Sequence, residues 1–142
     1  MVSKQISVFI ENRKGRLGEV LDVLKSNGVN ILSLSLADTT EYGLLRIIAD
    51  KPKTGKDALS AAGFSCMLTD VFILNVPHTP GSLQTILRVI SDEELSVEYM
   101  YGLSFGGDEA SIVVKTSDKD KAEQVFKRHG IKTLDGDVFM DA

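Results

Sequence analysis

The sequence predicts an α+β protein made of two ferredoxin-like βαββαβ units in tandem, each an antiparallel sheet with its helices on one face. Three observations predict it. The chain has 142 residues, enough for two small units that each bury a thin core. One order of strand-like and helix-like patterns runs through it twice. Each pass contains a turn in which a glycine precedes an amphipathic helix, at Gly15 and again at Gly81.

The repeat is read at a spacing of 66 residues, which brings Gly15 onto Gly81 and Leu17 onto Leu83. The alternating Ile6, Val8 and Ile10 meet Phe72, Leu74 and Val76, the pattern of strands with one apolar face. Leu17, Val20, Leu21 and Leu24 meet Leu83, Ile86, Leu87 and Ile90, one apolar helix face in each copy. Val29, Ile31 and Leu34 meet Leu95, Val97 and Met100, and Ile47 and Ile48 meet Val113 and Val114. Between Ile6 and Asp50, fifteen of 45 columns are apolar in both copies, against roughly nine for independent placement. Only Gly15, Leu17, Leu21 and Val23 are identical in both.

In the first copy strands are expected near 4–10, 29–37, 43–50 and 65–70, with helices near 16–27 and 54–62. Asn27-Gly28 closes the first helix, since glycine accepts the left-handed cap. Pro52 and Thr54-Gly55 punctuate the approach to the second helix. In the second copy strands are expected near 71–76, 95–104, 109–116 and 132–140, with helices near 81–91 and 118–128. Phe105-Gly106-Gly107-Asp108 reads as a hairpin turn, and Ser117-Asp118 as a helix N-cap. No linker separates the copies: Leu68-Thr69-Asp70-Val71-Phe72-Ile73 runs on without Pro or Gly, so one strand flows into the next. The domains are expected at 1–70 and 71–142.

Composition narrows the chemistry. Sixteen basic and twenty acidic residues give a net charge of −4, which argues against a nucleic-acid partner. RNA-recognition domains of the same topology stack bases on third-strand aromatics, and Leu44 to Ala49 and Ala110 to Lys115 contain none. No apolar run is long enough to span a membrane. Two histidines and a single cysteine leave no clustered ligand set for a metal, and no cofactor is expected. The single Cys66 fits a reducing, cytoplasmic setting. Gly55-Lys56 fails as a phosphate loop, because Asp50 stands where a glycine and Asp57 where a hydroxyl is required.

The informative segments are the two turns, Asn12-Arg13-Lys14-Gly15-Arg16-Leu17 and His78-Thr79-Pro80-Gly81-Ser82-Leu83. A helix N-terminus presents unpaired N–H groups and partial positive charge, and glycine lets a ligand approach the backbone. Such a turn suits a carboxylate or other small anion. Arg13, Lys14 and Arg16 strengthen the first, and Thr79 and Ser82 add hydroxyls to the second. The structural alternative is that Gly and Pro simply make a tight turn that starts a helix.

With Pro80, Gly81 and Leu83 after a strand, and Gly15 and Leu17 in the earlier copy, the whole chain resembles two tandem ACT domains. Lys14 stands where that family's turn has proline. The resemblance implies paired units forming an eight-stranded sheet, and an amino acid or similar small carboxylate effector bound at the interface between ACT-like domains. Asn12 or His78 would hold its amino group, and N–H groups near Gly15, Leu17, Gly81 and Leu83 its carboxylate. Leu32, Ser33 and Leu34, with Tyr99, Met100 and Tyr101, would line the pocket. It further implies a non-catalytic, free-standing regulator, a homo-oligomer such as a dimer, with a metabolic enzyme as partner. The alternative on the same fold is a small anion-binding hydrolase of acylphosphatase type, using Arg13 or Arg16.

Overall fold

The structure is a computed structural model that describes residues 2–11, 13–38, 41–103 and 109–134. Ten elements follow in order: β1 (Ser3–Glu11), α1 (Arg16–Ser26), β2 (Ile31–Asp38), β3 (Tyr42–Ala49), α2 (Pro52–Ala61), β4 (Ser65–Pro77), α3 (Ser82–Asp92), β5 (Val97–Leu103), β6 (Glu109–Thr116) and α4 (Lys119–Arg128). The contacts divide the described chain into residues 4–69 and residues 70–134, with residues 2–3 grouped with the latter. The expected strand 65–70 and strand 71–76 are one element, β4, which serves both units. The turn expected at Phe105–Asp108 and the part of the last strand beyond residue 134 lie outside the described residues.

In the first unit the strand order is β2-β3-β1-β4. β1 pairs antiparallel with β3, Ile6 opposite Ile47 and Ile10 opposite Gly43, and β2 pairs antiparallel with β3, Leu36 opposite Leu45. Ile6, Val8 and Ile10 of β1, Leu45 and Ile47 of β3, Val20 and Leu24 of α1 and Leu59 of α2 form one buried core. Both helices therefore cover the same face of the sheet, as the period-2 and period-3.6 patterns require. On the other face of β1 the polar Gln5 and Ser7 are buried as well. Their burial is made possible by a hydrogen-bond chain: Gln5 Nε2 donates to Ser7 Oγ at 3.0 Å, and Ser7 Oγ meets Thr69 Oγ1 at 2.8 Å. Helix α2 begins at Pro52 rather than near 54, because proline at the first helical position gives up only an N–H that has no partner there.

In the second unit β4 pairs antiparallel with β6, and β6 with β5. Leu74 also bridges Thr133, with Leu134 N donating to Ile73 O at 2.8 Å, which marks the start of the expected last strand. The core joins Phe72, Leu74 and Val76 to Ile86 and Ile90 of α3 and Ala122, Val125 and Phe126 of α4. Phe72 and Phe126 meet edge to face, centroids 5.0 Å apart. Asp118 caps α4 by accepting from Lys121 N at 3.1 Å, as its place in the sequence predicts.

The backbone repeats in detail. Asn27 N to Val23 O, Gly28 N to Lys25 O and Val29 N to Leu24 O recur as Glu93 N to Val89 O, Glu94 N to Ser91 O and Leu95 N to Ile90 O. The bulge between Ile31 and Ser33 recurs between Val97 and Tyr99. All are 66 residues apart. Beyond the second hairpin the spacing becomes 67: Phe64 N to Leu59 O recurs as Ile131 N to Phe126 O, and the pair Ile6 and Ile47 recurs as Phe72 and Val114. Ile47 thus corresponds to Val114, not Val113 as a constant spacing of 66 has it. Six residues separate the paired Ala37 and Leu44 and seven the corresponding pair Leu103 and Ser111, and a gapless reading of the repeat carries that extra residue through as a register error.

Candidate functional site

The two glycine turns have one backbone. Arg13 N donates to Glu11 O at 2.8 Å and Thr79 N to Pro77 O at 2.9 Å; Arg16 N donates to Arg13 O and Ser82 N to Thr79 O, both at 3.3 Å. Gly15 and Gly81 are the N-caps of α1 and α3, both left-handed, with φ of 90° and 84°. Lys14 in place of proline leaves the turn unchanged, because the left-handed glycine sets its course. Neither helix has a side-chain cap, so beyond Arg16 N and Ser82 N the first-turn N–H groups lack the carboxylate that closes α4.

The side chains of the two turns differ. Around the first, Arg13 Nε lies 2.9 Å from Glu11 Oε2, and Arg16 Nη1 lies 2.6 Å from Glu19 Oε2. The Arg16 guanidinium also stacks over the Phe64 ring, 4.2 Å from its centroid. Two of the three expected basic residues are thus matched by carboxylates of their own unit, while Lys14 and Gly15 are exposed and Leu17 packs against the core. Asn12 lies outside the described residues. Around the second turn, Thr79 Oγ1 and Ser82 Oγ share a hydrogen bond of 2.5 Å. An open pocket of about 360 Å³ lies beside it, lined by Val76, Pro77, His78, Thr79, Pro80, Leu83, Ala110 and Ile112. That volume is at the small end of the range for ligand sites, about 300–1,000 Å³.

The structure does not bring the expected second-strand residues to the turn of their own unit. Ile10 pairs with Gly43, and Gly43 with Asp38, so the first turn lies at the Asp38 end of β2. Ser33 is five residues back along β2, about 17 Å away, and Leu32 and Leu34 flank it. In the second unit Val76 pairs with Ala110 and Tyr99 with Lys115, again five residues apart. Tyr99 and Tyr101 stack with centroids 6.5 Å apart, on the face opposite Met100, which packs against the core. Val76, Pro77, Ala110 and Ile112 line the pocket without any sequence signal of their own, since each reads as an ordinary strand residue.

Among the described residues no group of three or more His, Cys, Asp or Glu side chains is placed to hold a metal ion, and no helix is long and apolar enough to cross a membrane.

The sheet order β2-β3-β1-β4, repeated in the second half of the chain as far as it is described, defines a tandem ferredoxin-like α+β protein. The chain belongs to the ACT domain pair family, whose model matches residues 1–141. Protein BT0572 from Bacteroides thetaiotaomicron is similar in structure, with a TM-score of 0.90 and 35% identity over 96% of this chain and 94% of that one. The ligand-free regulatory subunit of aspartate kinase from Thermus thermophilus shares the fold, with a TM-score of 0.62 and 14% identity over 91% of this chain and 92% of its own. The corresponding subunit from Thermus flavus has a TM-score of 0.59 and 14% identity over 87% and 88%. No curated protein matches the chain.

Proposed function

We propose that this protein is a non-catalytic regulator that binds an amino acid or similar small carboxylate effector at the second glycine turn. The observation that carries the proposal is the uncapped start of α3, with its left-handed Gly81, beside a pocket of about 360 Å³. The α-carboxylate sits on the N–H groups near Gly81 and Leu83, and His78 takes the amino group as an acceptor. Membership of the ACT family supports a ligand-binding regulatory role, and aspartate kinase regulatory subunits share the fold.

The first turn, Asn12 to Leu17, is the weaker receptor, since Arg13 and Arg16 already have carboxylate partners. Leu32, Ser33 and Leu34, and Tyr99, Met100 and Tyr101, belong to the proposal only as walls contributed across an interface between ACT units. A homodimer working in the cytoplasm and signalling to a metabolic enzyme by contact completes it.

Thermal denaturation in the presence of each common amino acid tests the reading. An effector at 100 times its Kd adds about 2.7 kcal/mol, a rise in Tm that Gly81→Val abolishes. If no amino acid raises Tm, the reading fails. Turnover of an acyl phosphate that is lost in Arg13→Ala or Arg16→Ala favours the hydrolase instead.

A further inference from the structure

The two units differ at one place beside the turn. Leu36 of β2 pairs with Leu45, and Gly102 of β5 pairs with Ile112. These are corresponding positions, on the sheet face that carries the helices. In the first unit the Leu36 side chain lies across Gly43: a Cβ at Gly43 would come within 3.2 Å of Leu36 Cδ1 and 3.1 Å of Ile10 Cγ1. In the second unit the residue corresponding to Gly43 is Ala110, and the residue corresponding to Leu36 is Gly102. Among the described residues no heavy atom lies within 4 Å of a Cβ position on Gly102. Ile112, the partner of Gly102, lines the pocket together with Val76, Leu83 and Ala110.

Its walls are aliphatic. Among the described residues no carboxylate, lysine or arginine lines it. An acidic or basic effector side chain would lose its hydration without gaining a counter-ion, whereas an aliphatic one gains by burial.

We propose that the pocket of the second unit receives an amino acid with a small aliphatic side chain, of the valine, leucine and isoleucine class, and that Gly102, opposite Ile112, is the specificity-determining residue: a leucine there would lie across Ala110 as Leu36 lies across Gly43. The inference rests on the receptor reading above and sharpens it to a ligand class and a single site.

Calorimetric titration of the full chain with alanine, valine, leucine, isoleucine, aspartate and lysine tests it. Affinity rises about fourfold per buried methylene from alanine to valine to leucine, with one site per chain, and aspartate and lysine do not compete. Gly102→Leu, which puts the first unit's side chain at the corresponding position, weakens aliphatic binding at least tenfold at unchanged ligand-free Tm. Gly102→Ala, the smaller change, weakens it less and serves if the leucine variant does not fold. Leu36→Ala leaves the affinity unchanged. Tight binding of aspartate or lysine with none of the aliphatic series overturns the ligand class but leaves the receptor reading standing. Undiminished binding in both Gly102 variants, or loss in Leu36→Ala, overturns the role of Gly102. Silence of every amino acid removes the receptor itself.

Discussion

Glu94 holds a left-handed conformation, φ 59°, at the position that Gly28 holds at φ 70° in the other unit. Both close a helix through the same pair of bonds, one reaching back three residues and the next five, the arrangement in which glycine is favoured after a helix. A side chain there costs roughly 1–2 kcal/mol, partly offset because glycine leaves the unfolded chain more freedom to lose. Glu94→Gly is therefore expected to stabilise the protein by about 0.5–1 kcal/mol, and Gly28→Glu to destabilise it by a similar amount. Urea unfolding of the two variants checks both signs, and a fall in stability for Glu94→Gly contradicts the assignment.

Arg16 is held flat between the Phe64 ring and Glu19. A lysine keeps the charge but loses the planar stack and the fork. Arg16→Lys is expected to cost about 1 kcal/mol, and a double-mutant cycle with Phe64→Leu to give a coupling of about 0.5–1 kcal/mol. The same variant leaves ligand binding in the second unit untouched, since Arg16 belongs to the first.

Glu93 gathers Arg128 Nη2 at 3.0 Å and His129 Nε2 at 3.1 Å. The hydrogen bond from His129, helped by the positive charge of Arg128, holds its carboxyl below the ordinary value. A carboxylate depressed in the folded state contributes stability above its unfolded pKa and loses it as the pH falls through the folded one. Tm should therefore drop on acidification below the ordinary carboxylate range, and Glu93→Gln should flatten that limb while leaving the slope near neutral pH alone. Identical acid limbs in the two proteins would remove Glu93 from the account.

The apolar periodicity made most of the architecture legible, because strands and helices that bury one face advertise it at periods of 2 and 3.6. The turns were legible through glycine, the residue that their left-handed caps favour. The one-residue lengthening of the second hairpin was not, since a loop leaves no periodic trace and the flanking Val113 and Val114 are both apolar. The pocket stayed hidden for a related reason. Its walls are core-like aliphatics, and a glycine beside it, Gly102, carries no side chain for a pattern to register. Gln5 and Ser7 read as the polar face of β1, and their bonds to each other and to Thr69 help satisfy them where they are buried.

Strand β4 runs from Ser65 to Pro77 without a break and contributes Cys66 and Leu68 to one core and Phe72, Leu74 and Val76 to the other. A strand shared in this way keeps a single count. Inserting or deleting one residue within Phe72–Val76 would turn the side chains beyond it to the other face of the strand and out of their core. The hairpin between β5 and β6 has absorbed an extra residue; this strand cannot. Loop length can differ between the two units, as the hairpins show, whereas a paired strand admits exchange of side chains but not a change in their number.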